Sequence, residues 1–231
     1  MEKNPIIIAL DGMERTEAFE MAEKLSGKVW GFKVNDLLDA DVGSIAIIKE
    51  LKKYGKVFAD CKFHDIPQTV ENRIKKIVRA KPDLITVHAS GGIEMMTRAI
   101  AVAGESKILA VTVLTSLSDH DANNIFHTSV STKVLEFVQD ASRAAVYGIV
   151  CSAQELSLYK NFKNLIKVTP GIRPRWFQDA GDDQKRTATP AEAIGFGSTY
   201  LVIGRPITKA KYQIDAIERT LEEIEQRSHH R

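Results

Sequence analysis

The sequence contains only two cysteines, Cys61 and Cys151, which stand far apart and belong to no C-x-x-C motif. Disulfide frameworks and structural zinc sites need several cysteines at short, regular spacings, so neither is expected here. A chain with so few cysteines fits a reducing compartment, and we therefore expect a cytoplasmic location.

Long apolar runs and an excess of charge of one sign are also lacking. The 32 Lys and Arg residues are balanced by 30 Asp and Glu residues, giving a formal net charge of +2. Binding to nucleic acid through phosphate neutralisation is therefore not expected. The apolar run at residues 6–10 is too short for a signal peptide or a membrane span, so we expect no membrane partner either.

What the sequence does contain is a regular series of short apolar runs separated by helix-like segments. Runs that are rich in Val and Ile and nearly continuous are typical of strands covered on both faces. Strands are predicted at residues 5–10, 29–34, 57–61, 84–87, 108–114, 148–151, 166–168 and 200–203. Helices are predicted at residues 16–25, 42–54, 68–79, 94–103, 132–145, 153–159 and 214–226.

Eight strands that alternate with helices, at a spacing of roughly 29 residues, predict a single-domain (β/α)8 TIM barrel over residues 1–231. A doubly wound open sheet is the alternative. Such a sheet usually carries a G-x-G-x-x-G turn after its first strand, and here the first strand leads into Asp11-Gly12 without one. The missing turn disfavours both the open sheet and a dinucleotide cofactor.

Polar or special residues stand at the carboxyl end of nearly every predicted strand, where barrel enzymes place their chemistry. Asp11 and Lys33 follow the first two strands, and Asp60 with Lys62 follows the third. Charged groups in this position are costly unless paired, so we expect these four to share one network. A purely structural ion pair is the alternative. The other strand ends carry His88, Thr115, Ser116, Ser152, Arg173, Gly204 and Arg205.

Lys62 is the centre of the predicted network. Strand alternation places Asp60 and Lys62 on one face, and Asp65 follows on the departing loop. Neighbouring carboxylates keep an ammonium protonated, which suits a fixed cation and proton donor and not a Schiff-base nucleophile. Cys61 alternates to the other face, where we expect it to pack as a small apolar residue. No metal-ligand cluster accompanies the motif, so no metal is expected and the protein itself must stabilise the developing charge.

The C-terminal third of the chain contains two indications of a phosphate site. Gly204 and Arg205 follow the eighth predicted strand, where backbone N–H groups of TIM barrels commonly bind phosphate; an ordinary turn is the alternative. Residues 173–190 form a long polar connection with little helical character. Connections of this length are usually functional or disordered, and we interpret this one as a lid over the anion.

The segment after the third strand resembles the signature of a known family. Residues 60–69 read D-C-K-F-H-D-I-P-Q-T, similar to the D-x-K-x-x-D-I-P-x-T motif of the orotidine 5'-phosphate decarboxylases. Further blocks match in order over essentially the whole chain, including V-H-A-S-G-G, P-G-I-R and V-I-G-R-P. The resemblance implies conversion of orotidine 5'-phosphate to UMP and carbon dioxide, the last step of de novo UMP synthesis, without cofactor or metal.

The resemblance also implies roles for the charged residues at the strand ends. Lys62 would protonate C6 of the pyrimidine as carbon dioxide departs, and Asp60 would lie against the substrate carboxylate. Asp11 and Lys33 would contact the ribose and join the charge network.

The remaining implied roles concern the neighbouring subunit and the ends of the substrate. Asp65, with Ile66 and Thr69, would reach into the partner's site and make the protein a homodimer. Thr115 and Ser116 would lie near the pyrimidine. The phosphate would be held by Arg173, Gln184, Gly204 and Arg205.

Some positions depart from the family pattern, and two rival functions stay open. Cys61 stands where a leucine is usual, the lid contains Asp182-Asp183 where one Asp is usual, and residues 36–49 match weakly. One rival is the magnesium-dependent 3-keto-L-gulonate 6-phosphate decarboxylase, which shares D-x-K-x-x-D but not the D-I-P-x-T continuation. The other is a non-catalytic sensor of a phosphate metabolite, which would be expected to have lost charged residues of the network.

Overall fold

Eight parallel strands close into a barrel in which each strand pairs with the next and the last pairs with the first. This architecture is seen in a computed structural model, which describes residues 4–39, 43–177 and 186–226. The strands are β1 (Ile6–Ala9), β2 (Gly31–Val34), β3 (Lys56–Phe63), β4 (Leu84–His88), β5 (Lys107–Val111), β6 (Gly148–Val150), β7 (Ile166–Thr169) and β8 (Tyr200–Ile203). The predicted TIM barrel is confirmed.

Helices connect the strands on the outside of the barrel. Within the described ranges they are α1 (Arg15–Lys24), α2 (Ser44–Leu51), α3 (Pro67–Ile77), α4 (Gly92–Ala101), α5 (Asp119–Phe126), α6 (Val130–Arg143), α7 (Pro190–Phe196), α8 (Arg205–Thr208) and α9 (Gln213–Gln226). None of these described helices is long and apolar enough to cross a membrane.

The helix predictions were wrong in several places. The segment Ala153–Tyr159 forms a 3-10 helix, and the helix predicted at residues 16–25 spans Arg15–Lys24. The short helices α5, α7 and α8 were missed. Two of them, α5 and α7, are fixed locally by capping boxes, in which a serine or threonine side chain and an acidic side chain bond each other's backbone N–H groups.

The core has two layers, and this explains why the strands are apolar on both faces. Inside the barrel lie Ile7, Phe58, Leu84, Leu109, Val168 and Val202. A larger cluster, which includes Ile6 and Ile8, fills the space between barrel and helices. Ile7 and Phe58 point into the barrel. Because side chains alternate along a strand, inward-pointing positions recur further along β1 and β3, and the last of these positions lie at the carboxyl mouth of the barrel.

Candidate active site

The carboxyl end of β3 departs from regular strand geometry. The step from Ala59 to Phe63 faces the shorter step from Ile85 to Val87 on β4, so β3 carries a bulge. Lys62 lies in this bulge with a φ of 45°, in the left-handed region that non-glycine residues rarely adopt. Strained backbone of this kind clusters at functional sites. The bulge brings Lys62 to the same side as Asp60, although not by the simple alternation used to predict it.

Four charged side chains meet at this mouth. The Lys62 ammonium lies 2.5 Å from Asp60 Oδ2, and the Lys33 ammonium lies 3.2 Å from the same oxygen. Lys33 is also 2.5 Å from Asp11 Oδ2. The structure therefore brings together all four members of the predicted network, in the order Asp11, Lys33, Asp60, Lys62.

The network keeps its buried members charged. Burial disfavours the Lys33 ammonium, but the carboxylates of Asp60 and Asp11 outweigh this cost and raise the pKa of Lys33. Burial likewise disfavours the Asp60 carboxylate, and the two ammonium groups together with the Thr86 hydroxyl outweigh it and lower the pKa of Asp60. The middle of the network is therefore a lysine cation beside a carboxylate anion at neutral pH.

Two polar residues that the sequence analysis missed hold this geometry. The Thr86 hydroxyl donates to Asp60 Oδ1 at 2.9 Å and accepts from the Lys62 backbone N–H at 2.8 Å. The Asn35 side chain donates to the Asp60 carbonyl at 2.7 Å. Thr86 could have been noticed, because a polar residue inside the apolar run of β4 needs a buried partner.

The network opens into a cavity of about 560 Å³. This volume is in the range of small-molecule sites. Its wall includes Asp11, Lys33, Asp60 and Lys62 from the first three strands, together with Thr115, Arg173, Gly204 and Arg205 from the later ones. Charged groups of both signs thus face one shared space.

Other predicted site residues do not line this cavity. Ser116, Asp65, Ile66 and Thr69 are not among the described residues that line it. Asp65 is exposed, and its carboxylate accepts from the Ile66 N–H at 2.7 Å. Of the described carboxylates, the one that Lys62 contacts is Asp60, so Lys62 is not flanked by both Asp60 and Asp65 within one chain. Gln184 lies outside the described residues, as does much of the segment predicted to be a lid.

The described part of the chain contains no group of three or more His, Cys, Asp or Glu residues arranged to hold a metal ion. Cys61 packs against the apolar layer between barrel and helices, as the alternation of β3 predicted.

Fold and cavity together define a class of protein: a TIM-barrel enzyme whose chemistry lies at the carboxyl ends of its strands. The particular family follows from comparison with known proteins. The family model described as "Orotidine 5'-phosphate decarboxylase / HUMPS family" matches residues 4–220, and the chain belongs to that family.

Individual relatives agree with this assignment over nearly full length. An orotidine 5'-phosphate decarboxylase of Carboxydothermus hydrogenoformans is 39% identical over 232 residues, covering 95% of each chain. Another, from Idiomarina loihiensis, is 41% identical over 216 residues, covering 89% of this chain and 91% of the relative. The crystal structure of the Lactobacillus acidophilus enzyme superposes with a TM-score of 0.79 at 32% identity, covering 96% and 99%. The resemblance predicted from residues 60–69 is confirmed.

Proposed function

We propose that residues 1–231 form one catalytic domain that converts orotidine 5'-phosphate to UMP and carbon dioxide, the last step of de novo UMP synthesis. Family membership and the curated relatives support this reaction. The observation that supports it most directly is the Asp11–Lys33–Asp60–Lys62 network at the cavity mouth. The complete network also argues against a non-catalytic sensor.

Lys62 is the proton donor. When the bond between C6 and the carboxylate breaks, the electron pair stays on C6 as an anion in the plane of the ring, where it is poorly delocalised. An ammonium that is already in place stabilises such charge without reorganisation. Lys62 then transfers a proton from Nζ to C6, and solvent returns a proton to the amine. Its position beside Asp60 supports this role.

Asp60 and its neighbours orient the substrate. The Asp60 carboxylate, held ionised by two lysines, lies against the substrate carboxylate. Lys33 and Asp11 contact the ribose hydroxyls, for which they offer a donor and an acceptor. Thr115, on the cavity wall, and Ser116 lie near the pyrimidine.

The phosphate binds at the other end of the cavity. Arg173 and Arg205 line this end. The guanidinium of an arginine can donate two parallel hydrogen bonds to one phosphate group. Gly204 lies on the wall beside them, where an absent side chain lets an anion approach the backbone. Gln184 is the further phosphate ligand implied by the family resemblance.

The protein acts as a homodimer that shares its active sites. Asp65, Ile66 and Thr69 follow the catalytic strand yet lie off their own cavity, and Ile66 is 66% exposed. An exposed isoleucine beside catalytic residues suits burial against a second copy, whose cavity Asp65 would then complete. A cytoplasmic location is supported by Cys61 and Cys151, both unpaired.

The loss of orotidine 5'-phosphate absorbance, measured with purified and EDTA-treated protein, tests the proposed reaction. We expect full turnover, with UMP as the product and no dependence on added magnesium. Turnover of 3-keto-L-gulonate 6-phosphate that requires magnesium, in place of orotidine 5'-phosphate turnover, would establish the rival enzyme. Absence of turnover of both substrates would favour the sensor.

A further inference from the structure

Arg186 connects three loops at the mouth of the barrel. Its guanidinium forms an ion pair with Glu155, in the 3-10 helix after β6. Its Nη2 and Nε donate to the backbone carbonyls of Leu114 at 2.9 Å and Thr115 at 3.1 Å, in the loop after β5. Arg186 itself belongs to the connection between β7 and α7. The Arg186 side chain thus donates hydrogen bonds to two neighbouring loops.

The burial of Glu155 makes its ion pair with Arg186 costly to break. The side chain of Glu155 is only 6% exposed, and its Oε2 has no hydrogen-bond partner among the described residues. Burial raises the pKa of Glu155, and the adjacent Arg186 opposes that rise. A buried carboxylate that loses its cation is costly, so the pair holds Arg186 in one place.

The loop that receives Arg186 is held by bonds of its own. The Leu114 carbonyl also accepts from the Leu117 N–H at 3.0 Å. Thr112, just before it, donates from its N–H and its hydroxyl to the Val150 carbonyl at 3.2 and 3.1 Å. The loop after β5 is therefore the fixed partner, and the connection after β7 is the part that Arg186 positions.

Backbone hydrogen bonds link the segment that contains Arg186 to Arg173, on the wall of the cavity. Two residues after Arg186, the Ala188 carbonyl accepts from the Arg173 N–H at 2.9 Å, and the Ala188 N–H donates to the Gly171 carbonyl at 3.2 Å. Ile172 and Ala188 form a parallel bridge at the same place. The position of the Arg173 backbone thus depends on the segment that Arg186 anchors.

We propose that Arg186, held by Glu155, is a positioning residue for phosphate recognition. By fixing residues 186–188 to the loop after β5, it sets the position from which Arg173 meets the substrate phosphate. This inference rests on the proposed function, because it takes the Arg173 end of the cavity as the phosphate end. A displacement of about 1 Å at such a position can cost on the order of a hundredfold in rate.

The test compares two competitive inhibitors, UMP and uridine, which differ only in the phosphate. In Arg186→Gln we expect the inhibition constant of UMP to rise by about tenfold or more, while that of uridine changes by less than about twofold. A merely structural role would weaken both inhibitors alike, or neither. Either result would overturn the proposal.

Further variants separate positioning from charge pairing and from folding. Arg186→Lys keeps a cation for Glu155 but cannot reach three acceptors at once, so we expect a near-normal melting temperature with weak UMP binding. If Arg186→Gln fails to fold, Arg186→Gln combined with Glu155→Gln removes the buried unpaired charge and should show the same selective loss of UMP binding. Normal UMP binding in Arg186→Lys and in the double variant would refute the proposal.

Arg175→Gln is the matched control, because this arginine belongs to the same connection and its side chain is 74% exposed. It should leave both inhibition constants unchanged. Wild-type protein is assayed alongside: turnover of orotidine 5'-phosphate with unaltered UMP selectivity in the Arg186 variants contradicts this inference alone. Absence of wild-type turnover contradicts the proposed function instead.

Discussion

Asp60 is the residue through which the two lysines of the charge network, Lys33 and Lys62, interact. Its Oδ2 meets both ammonium groups, and its Oδ1 accepts from Thr86. A single carboxylate thus fixes the proposed proton donor, Lys62, and shares the buried Lys33 with Asp11. At the scale of single residues, the site is a set of compensated charges and not a set of isolated functional groups.

Replacing Lys62 tests the proton donor. We expect Lys62→Ala to lower kcat by at least about a thousandfold, because the only group proposed to stabilise and protonate the C6 anion is removed. The fold should survive, since the Lys62 side chain is 35% exposed. Steady-state turnover and circular dichroism measure the two effects. Lys75→Ala, on the exposed face of α3, is the control, and a Lys62→Ala protein with most of its turnover would rule out the role.

Replacing Asp60 tests the charge network through the pH dependence of stability. The pKa of Asp60 is lowered in the folded protein, so its carboxylate stabilises the fold above the unfolded pKa of about 3.9, and this contribution is lost as the pH falls through the lower, folded value. We expect Asp60→Asn to lower the free energy of unfolding at pH 7 by about 3 kcal/mol, because Lys33 loses one of its two carboxylates.

Urea denaturation across a pH series provides the measurement. The difference between wild type and Asp60→Asn should be constant from neutral pH down to about pH 4 and shrink below it. A difference that stays constant into strong acid would show that Asp60 does not titrate with a lowered pKa.

Among the elements, β3 contributes most directly to the site because its carboxyl end is irregular. The bulge lets the Lys62 N–H leave the strand ladder, and Thr86 on β4 takes it up. The same hydroxyl fixes Asp60, so the geometry of the two proposed catalytic residues is set by a neighbouring strand. A left-handed residue such as Lys62 persists only where its surroundings hold it.

Thr86→Val removes this support with little change in side-chain shape. We expect kcat/KM to fall by about tenfold to a hundredfold, because Lys62 and Asp60 lose their common partner. The free energy of unfolding should fall by about 1–3 kcal/mol, the cost of leaving buried polar groups unpaired. Kinetics and urea denaturation measure both quantities.

Thr220→Val is a matched control for this experiment. Thr220 is also fully buried, but its hydroxyl donates within α9 to the Ala216 carbonyl, away from the cavity. It should change stability without changing kcat/KM beyond about twofold. Equal kinetic losses in the two variants would mean that Thr86 acts only through general stability.

At the scale of the whole molecule, the proposed dimer divides each active site between two chains. In this proposal Lys62 comes from one protomer and Asp65 from the other, which agrees with the position of Asp65 on an exposed loop outside the wall of its own cavity. The single chain would then present an almost complete site, to which the partner adds Asp65. Activity then depends on the concentration at which protomers associate.

Mixing two inactive variants tests the sharing. In a hybrid of Lys62→Ala and Asp65→Ala protomers, one site carries both changes and the other carries neither. After subunit exchange at equal concentrations, about a quarter of wild-type activity should return, since half of the dimers are hybrids with one intact site. Each variant alone should stay inactive. A mixture that stays inactive although exchange has been demonstrated would place Asp65 in its own protomer's site.

The sequence by itself determined the barrel. Eight apolar strands that alternate with helices form a parallel sheet, and few other folds bury both faces of such a sheet. It also determined the chemical character of the mouth: Asp11, Lys33, Asp60 and Lys62 end strands, and a topology of parallel strands brings strand ends together. The motif at residues 60–69, together with further blocks that match in order along the chain, indicated the family and its reaction.

Only the tertiary structure decided how those groups are held. The bulge at Lys62, the double role of Thr86 and the anchoring of Arg186 by Glu155 join residues far apart in the chain, and no local pattern encodes such pairs. The short helices α5 and α7 were missed because capping boxes fix them, without the long apolar stripe that reveals a helix in sequence. Periodicity reports which face is buried, whereas a polar contact depends on which elements packing brings side by side.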